Sequence, residues 1–212
     1  VANQLSDIQA IVFDLDGTLY ESPSFAAAIQ EAAADYIAGL KQIEPEAARH
    51  LLLETRFHLT EAHDEIPTLS AVCCYLGGNI RDLHAFFQES LRPEAYLQRD
   101  QQVIELLGKL TATFPLYLFT NNNRALTTRI IDYLGLSSMF RRIYAIDDTW
   151  TPKPDENMLD RILSDAGLLP AQVLFVGDRY DVDLRLPELR GCPVYLSQSI
   201  EQLLRIEELL NV

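Results

Sequence analysis

An α/β fold, with a doubly wound parallel sheet interrupted after its first strand by an all-helical insert, is predicted by three features of the sequence. Short apolar runs (Ile11-Val12-Phe13, Leu116-Tyr117-Leu118-Phe119 and Val173-Leu174-Phe175-Val176) alternate with segments whose apolar residues recur at helical spacing. These runs stop abruptly on polar residues, Asp14, Thr120 and Gly177-Asp178, as buried parallel strands do where they deliver side chains at their carboxyl ends. From about Glu21 to Pro93 no strand pattern occurs. The core is therefore expected in two sequence pieces, residues 1–20 and 94–212, with the insert over 21–93.

The elements follow in order. After the first strand, Ser22-Pro23 reads as an N-cap and first helical residue, and Phe25, Ala28, Ile29, Ala32, Ala33, Tyr36, Ile37 and Leu40 form one apolar stripe. Glu44-Pro45-Glu46 opens a second helix toward Phe57, and the polar Thr60 to Pro67 region reads as a loop. Leu69 to Leu76, closed by Gly77-Gly78, and Ile80 to Leu91 complete the insert. Asp100 then caps a helix through Leu110, and Phe114 to Phe119 is the second strand. A helix from Arg124 to Leu134 ends at Gly135, a natural left-handed C′ residue. Arg142 to Ile146 is the third strand, Pro154-Asp155 starts a helix that ends at Gly167, and Val173 to Val176 is the fourth strand. A short helix near Pro187 to Arg190, a fifth strand from Pro193 to Leu196 and a closing helix from Ile200 to Leu210 finish the chain.

Composition narrows the function classes. With 212 residues and 48% hydrophobic content the chain can hold one sizeable core plus a small accessory domain. Its formal net charge of −14 argues against nucleic acid polymers and anionic membranes as partners, since both demand a basic surface. An acidic chain that handles an anionic substrate needs a local positive feature, either placed bases or a metal. The first residues carry no basic start or apolar signal core, and no apolar run reaches spanning length. Cys73, Cys74 and Cys192 give an odd count without zinc-site spacing, which suits reduced thiols and a cytoplasmic location.

Polar residues then collect on one predicted sheet edge. The first strand supplies Asp14 and Asp16, the second Thr120 and Asn121, and the fourth Asp178, with Asp181 and Asp183 just beyond. Lys153 sits between Pro152 and Pro154 after the third strand. Each has a plain reading taken alone: Asp14 to Thr18 as a capped turn, Thr120 and Asn121 as helix caps, Lys153 as a solvated loop residue, Asp178 as another turn. Two carboxylates as close as Asp14 and Asp16 repel unless a cation or shared proton compensates. Four plain readings converging on one edge favour a site.

Asp14-Leu15-Asp16-Gly17-Thr18, Thr120-Asn121, Lys153-Pro154-Asp155 and Gly177-Asp178-Arg179-Tyr180-Asp181-Val182-Asp183, in this order, resemble the four signature motifs of the haloacid dehalogenase superfamily, in its branch with a helical cap after the first motif. The resemblance covers the whole core and implies a Rossmann-like sheet with an inserted cap domain. It implies Asp14 as the nucleophile that forms an aspartyl-phosphate, and Asp16 as the acid that protonates the leaving group and then activates water. Thr120, Asn121 and Lys153 would bind the substrate phosphate. Asp14, the backbone carbonyl of Asp16, and Asp178 would bind Mg²⁺, with Asp183 as a supporting residue that orients Lys153 or metal-bound water. An acid two residues beyond the nucleophile favours a phosphate ester over a halide, which leaves without a proton. Arg179 departs from the small residue of many relatives, and either pairs with a neighbouring aspartate or touches substrate.

The reading that results is a Mg²⁺-dependent phosphomonoester hydrolase acting on a small phosphorylated metabolite, such as a nucleoside monophosphate, a sugar phosphate or phosphoglycolate. Phe119-Thr120-Asn121-Asn122 and Asp16 to Tyr20 also resemble pyrimidine nucleotidase-like members. A phosphomutase of the same fold would keep every core residue, and a non-enzymatic binding or scaffold protein is the rival from another class. All four histidines, His50, His58, His63 and His84, fall in the insert without zinc spacing, and are expected at its surface or between its helices. His58, His63 or Lys41 could approach the leaving group if their segments face the core.

Overall fold

The computed structural model describes residues 7–63 and 66–210, and the side chain of His63 and the chain's first six residues lie outside that description. β1 (Ala10–Phe13) is followed by α1 (Pro23–Lys41), α2 (Pro45–His63), α3 (Leu69–Tyr75), α4 (Ile80–Ser90) and a 3₁₀ turn at Pro93–Ala95. α5 (Gln101–Thr111), β2 (Leu116–Phe119), α6 (Arg124–Leu134), β3 (Arg142–Tyr144), α7 (Glu156–Ala166) and β4 (Val173–Gly177) come next. α8 (Arg185–Leu189), β5 (Val194–Leu196), α9 (Ile200–Leu204) and α10 (Ile206–Leu210) end the chain. The chain divides into two compact units, Val1–Glu21 with Leu97–Val212, and Ser22–Tyr96.

The first unit is built on one parallel sheet of order β3-β2-β1-β4-β5. β1 lies at its centre, with Ile11 opposite both Leu116 and Leu174, and Phe13 opposite Leu118 and Val176. All four β1 side chains are buried, which is what a parallel strand covered on both faces requires. Val12, Tyr117, Tyr144 and Phe175 join Met158, Leu159 and Ile162 of α7 in one apolar cluster. Each such side chain removed from water contributes about 1.5–3 kcal/mol before entropy is counted. The order places the carboxyl ends of β1, β2 and β4 side by side, because β1 hydrogen-bonds to both neighbours. Asp14 continues the ladder, its N–H donating to the Val176 carbonyl at 2.8 Å.

The second unit has helices and no strand among its described residues. Ser22 caps α1, its hydroxyl accepting from the Phe25 N–H at 3.1 Å with Pro23 in the first turn. Ala32, Ala33, Ala34, Ile37 and Ala38 form the buried face of α1, small enough for α2, α3 and α4 to pack closely on it. His84 of α4 is buried, with its Nε2 3.2 Å from the Ser70 hydroxyl of α3 and its ring edge-on to Phe87. His50 and His58 are exposed on α2.

Among the element boundaries that differ from the sequence reading, the second strand begins at Leu116 because Pro115 breaks the run, and three others stand out. α2 continues through His63 where a loop from Thr60 is expected, because no Gly or Pro interrupts it and the Thr60 hydroxyl donates to the Arg56 carbonyl at 2.8 Å. The third strand stops at Tyr144, and Ile146–Asp148 turns as a 3₁₀ segment. The closing helix breaks at Arg205, whose N–H turns back to the Gln202 carbonyl. Among the described residues no helix is long and apolar enough to cross a membrane.

Candidate active site

Four loops at the carboxyl ends of the strands bring distant residues together. Lys153 is the hub. It is 2% exposed, and its ammonium reaches Asp14 Oδ1 at 2.5 Å, Asp183 Oδ1 at 2.6 Å and the Phe119 carbonyl at 3.0 Å. Those three acceptors match its three protons. Its backbone N–H donates to Asn121 Oδ1 at 2.8 Å, so Asn121 fixes the segment that aims the lysine. The neighbouring Asp155 is a structural cap, accepting from the Asn157 and Met158 N–H groups at the start of α7.

Asp14 is buried at the end of β1, its second oxygen taking a bond from the Thr18 hydroxyl at 3.3 Å. Asp16 is turned elsewhere. Its Oδ1 accepts from the Tyr20 hydroxyl and its Oδ2 from Asn122 Nδ2, the latter at 2.7 Å. Thr120 is buried at the end of β2, and its Oγ1 accepts from the Asn122 N–H at 3.1 Å. The cap of α6 is Asn123, whose Oδ1 accepts from the Leu126 N–H. Thr120 and Asn121 are thus released from the plain helix-capping role.

After β4 the chain winds through a single π turn, Tyr180–Leu184, before α8. That winding buries Asp183 and leaves Asp181 exposed. Asp183 spends its second oxygen on the Arg179 N–H at 3.1 Å. Two glycines permit the close approach. Gly17 has φ +82°, and a Cβ there would sit 2.5 Å from Asp178 Oδ2. At Gly177 a Cβ would meet that of Asp183 at 2.5 Å.

The carboxylates of Asp14, Asp178 and Asp183 converge, each offering an oxygen within 4.8 Å of the others. Asp178 Oδ1 is buried and has no hydrogen-bond partner. Burial pushes the Asp14 carboxyl up to about 7 against the pull of Lys153, with the Asp183 charge adding to the rise. Burial likewise pushes Asp178 up to about 6, opposed by Arg179. Burial alone would lower the Lys153 ammonium, but the Asp14 and Asp183 charges outweigh it and hold it above its ordinary value. Arg179 lies beside the cluster, its Nε 3.6 Å from Asp178 Oδ1 and 3.8 Å from Asp183 Oδ2, so its pairing with neighbouring aspartates is the arrangement found. An all-oxygen cluster with a buried oxygen that accepts no hydrogen bond and carboxyls driven toward protonation suits a hard divalent cation.

The structure brings Asp14, Lys153, Asp178 and Asp183 together with Asn121 behind the lysine, leaves Asp181 exposed, and gives Asp16 the partners Tyr20 and Asn122. Both stand inside polar strand-end segments, but nothing in the sequence pairs residues 16 and 122.

Comparison with known proteins agrees with the geometry. The haloacid dehalogenase-like hydrolase family matches residues 8–186. Phosphoglycolate phosphatases of Shigella boydii and Escherichia coli K12 are each 27% identical over 213 aligned positions, covering 90% of this chain and 81% of theirs. A HAD phosphatase from Thermococcus onnurineus superposes with a TM-score of 0.66 at 16% identity, over 96% of this chain and 98% of that one. A magnesium-bound putative HAD-hydrolase from Bacillus subtilis gives 0.60 at 18% identity, over 97% and 99%. A 2-haloacid dehalogenase from Pseudomonas syringae gives 0.60 at 20%, over 96% and 98%. At such identities the structural likeness is one of fold, shared by phosphatase and dehalogenase alike. The sequence match runs from β1 into α8 and takes in all four strand-end segments. The chain belongs to the haloacid dehalogenase-like hydrolase family.

Proposed function

We propose that this chain is a phosphomonoester hydrolase for a small phosphorylated metabolite, working through an aspartyl-phosphate on Asp14. The observation that carries the reading is Asp16, a carboxyl group two residues beyond the nucleophile with both oxygens held by side-chain donors. An ester's alkoxide needs a proton on departure, and a halide does not. The likeness to phosphoglycolate phosphatases supports the same reading and makes phosphoglycolate the first substrate to test, with nucleoside monophosphates and sugar phosphates beside it.

In this reading Asp14 attacks phosphorus while Asp16 gives its proton to the departing oxygen. Asp16, now a carboxylate, takes a proton from the water that opens the aspartyl-phosphate and restores Asp14. Lys153 and the Thr120 hydroxyl would hold the phosphoryl oxygens, and Asn121 would act through the Lys153 backbone it holds. Asp14, Asp178 and the Asp16 carbonyl would hold a divalent cation, with Asp183 keeping Lys153 in place. Mg²⁺ suits this oxygen set, and when bound it neutralises charge on the transferring phosphoryl group. The helical unit, residues 22–96, is the segment to which this reading assigns the role of a cap that would set leaving-group preference. Free thiols at Cys73, Cys74 and Cys192 suit a reducing, cytoplasmic setting.

The test is release of inorganic phosphate from an aryl phosphate and from a metabolite panel, with Mg²⁺ and with chelator. Hydrolysis should need the cation and vanish in Asp14→Asn. An Asp14→Asn protein as active as the parent would falsify the nucleophile assignment. Hexose phosphate as substrate, with product analysis, separates hydrolysis from mutase chemistry.

A further inference from the structure

We infer that Tyr20 and Asn122 are positioning residues that hold the Asp16 carboxyl in line with the leaving-group oxygen, an inference that rests on the phosphatase reading above. The short segment after β1 is wound tightly. The Leu19 N–H returns to the Leu15 carbonyl at 3.0 Å, and the Gly17 N–H to the Tyr20 carbonyl at 3.1 Å. This winding brings the Tyr20 ring back over the segment, where it is 7% exposed, with its hydroxyl on Asp16 Oδ1. Asn122 is equally fixed. Its N–H is tied to Thr120 Oγ1 and its carbonyl accepts from the Ile146 N–H, each at 3.1 Å, so its side-chain amide arrives at Asp16 Oδ2 from a rigid turn.

Two donors from separate strand ends therefore fix both oxygens of one carboxyl group, and a two-point hold leaves no freedom about the Cβ–Cγ bond. Asp16 alone among the site's carboxyls is held this way by neutral side chains. Asp14 and Asp183 are gathered instead by the Lys153 ammonium. The chemistry explains why neutral donors suit this place. As the ester P–O bond breaks, its electron pair stays on the leaving oxygen, which takes the proton from Asp16. The negative charge moves onto Asp16, and the Tyr20 O–H and Asn122 N–H bonds strengthen as it arrives. Neutral donors can hold the carboxyl both as the acid before transfer and as the carboxylate after it.

The consequence is a dependence on the leaving group. An alkyl phosphate expels a strongly basic alkoxide and relies on the Asp16 proton, whereas a dinitrophenyl phosphate expels a stable anion and does not. Tyr20→Phe and Asn122→Ala should each lower kcat/KM for alkyl phosphates roughly ten- to hundredfold, the range for a hydrogen bond to a charge-bearing group. For dinitrophenyl phosphate the same variants should stay within about twofold of the parent. Because kcat/KM covers steps only as far as aspartyl-phosphate formation, slow hydrolysis of that intermediate does not blur the comparison.

The experiment is a series of phosphate esters from dinitrophenyl through phenyl to alkyl, run on parent, Tyr20→Phe and Asn122→Ala with Mg²⁺ present. A steeper dependence on leaving-group basicity in both variants is the expected result. Equal losses along the whole series, as general damage to the fold would give, or no loss at all, overturn the positioning role. Should Tyr20→Phe fail to fold, Asn122→Ala carries the comparison, since its side chain is only partly buried. A parent chain that hydrolyses none of the esters would instead overturn the phosphatase reading itself.

Discussion

Lys153→Met puts the buried charge cluster to the sharpest test. The substitution keeps the unbranched apolar stem and removes an ammonium that satisfies Asp14, Asp183 and the Phe119 carbonyl at 2.5, 2.6 and 3.0 Å. Removing one partner of a buried ion pair costs about 3–5 kcal/mol, because the remaining charge stays desolvated. With a urea slope of about 2 kcal/mol/M, the midpoint should fall by roughly 2 M. The loss must also depend on pH. Burial pushes the Asp14 carboxyl up to about 7 from an ordinary 3.8, so between those values the folded state keeps a proton that the unfolded state has shed. Its contribution is fully present below 3.8 and drains as pH rises through 7. Without Lys153 the pull that lowers Asp14 is gone and its carboxyl rises further, so the deficit should be larger at pH 8.5 than at pH 5.5, while the lost partners of Asp183 and the Phe119 carbonyl cost stability at both. Trp150 is the chain's single tryptophan and lies in the α/β unit, so its fluorescence reads that unit's unfolding in chelator. A midpoint unmoved at pH 8.5, or displaced equally at both pH values, refutes the account of Lys153 as counter-charge to buried carboxylates. In the presence of Mg²⁺ the same variant should lose about 10²–10³-fold in kcat, the usual consequence of removing one group that stabilises transition-state charge.

Two further perturbations reach other parts of the molecule. Gly17→Ala forces a Cβ to 2.5 Å from Asp178 Oδ2 at φ +82°, and should cost at least about 1 kcal/mol and weaken Mg²⁺ binding measured by titration calorimetry. Cation affinity equal to the parent's would mean that the Asp178 carboxylate does not need this approach. In the helical unit, burial pushes His84 down to about 4 from an ordinary 6.5, so the unfolded chain takes up its proton first as pH falls. The stability it secures is present above 6.5 and is lost as pH falls toward 4, with a slope of at most about 1.4 kcal/mol per pH unit. His84→Phe should flatten that slope in calorimetric melts between pH 7 and 4.5, and an unchanged slope would assign the acid sensitivity to other groups.

The parts of the fold that were legible in the sequence are those fixed by local chemistry. A central parallel strand must be apolar on both faces, so β1 reads as an unbroken run that halts at Asp14, and the N-caps Ser22, Asp100 and Asp155 each precede a helix. What escaped depends on contacts that local composition does not encode. A polar surface helix such as the end of α2 has the composition of a loop, and only its uninterrupted backbone bonding tells them apart. The site shows the same division more sharply. Asp181 and Asp183 stand two residues apart in the same acidic segment, and residue type alone cannot say which enters the site. The π turn from Tyr180 to Leu184 decides it, burying Asp183 beneath Gly177, where any side chain larger than hydrogen would collide with it. That choice in turn fixes Lys153. Burial of an ammonium this deep is opposed first by Asp14 and then by Asp183, and the two charges together outweigh it. The second carboxylate, set in place by one extra residue in a helical turn, is what allows the lysine to stand charged beside the nucleophile.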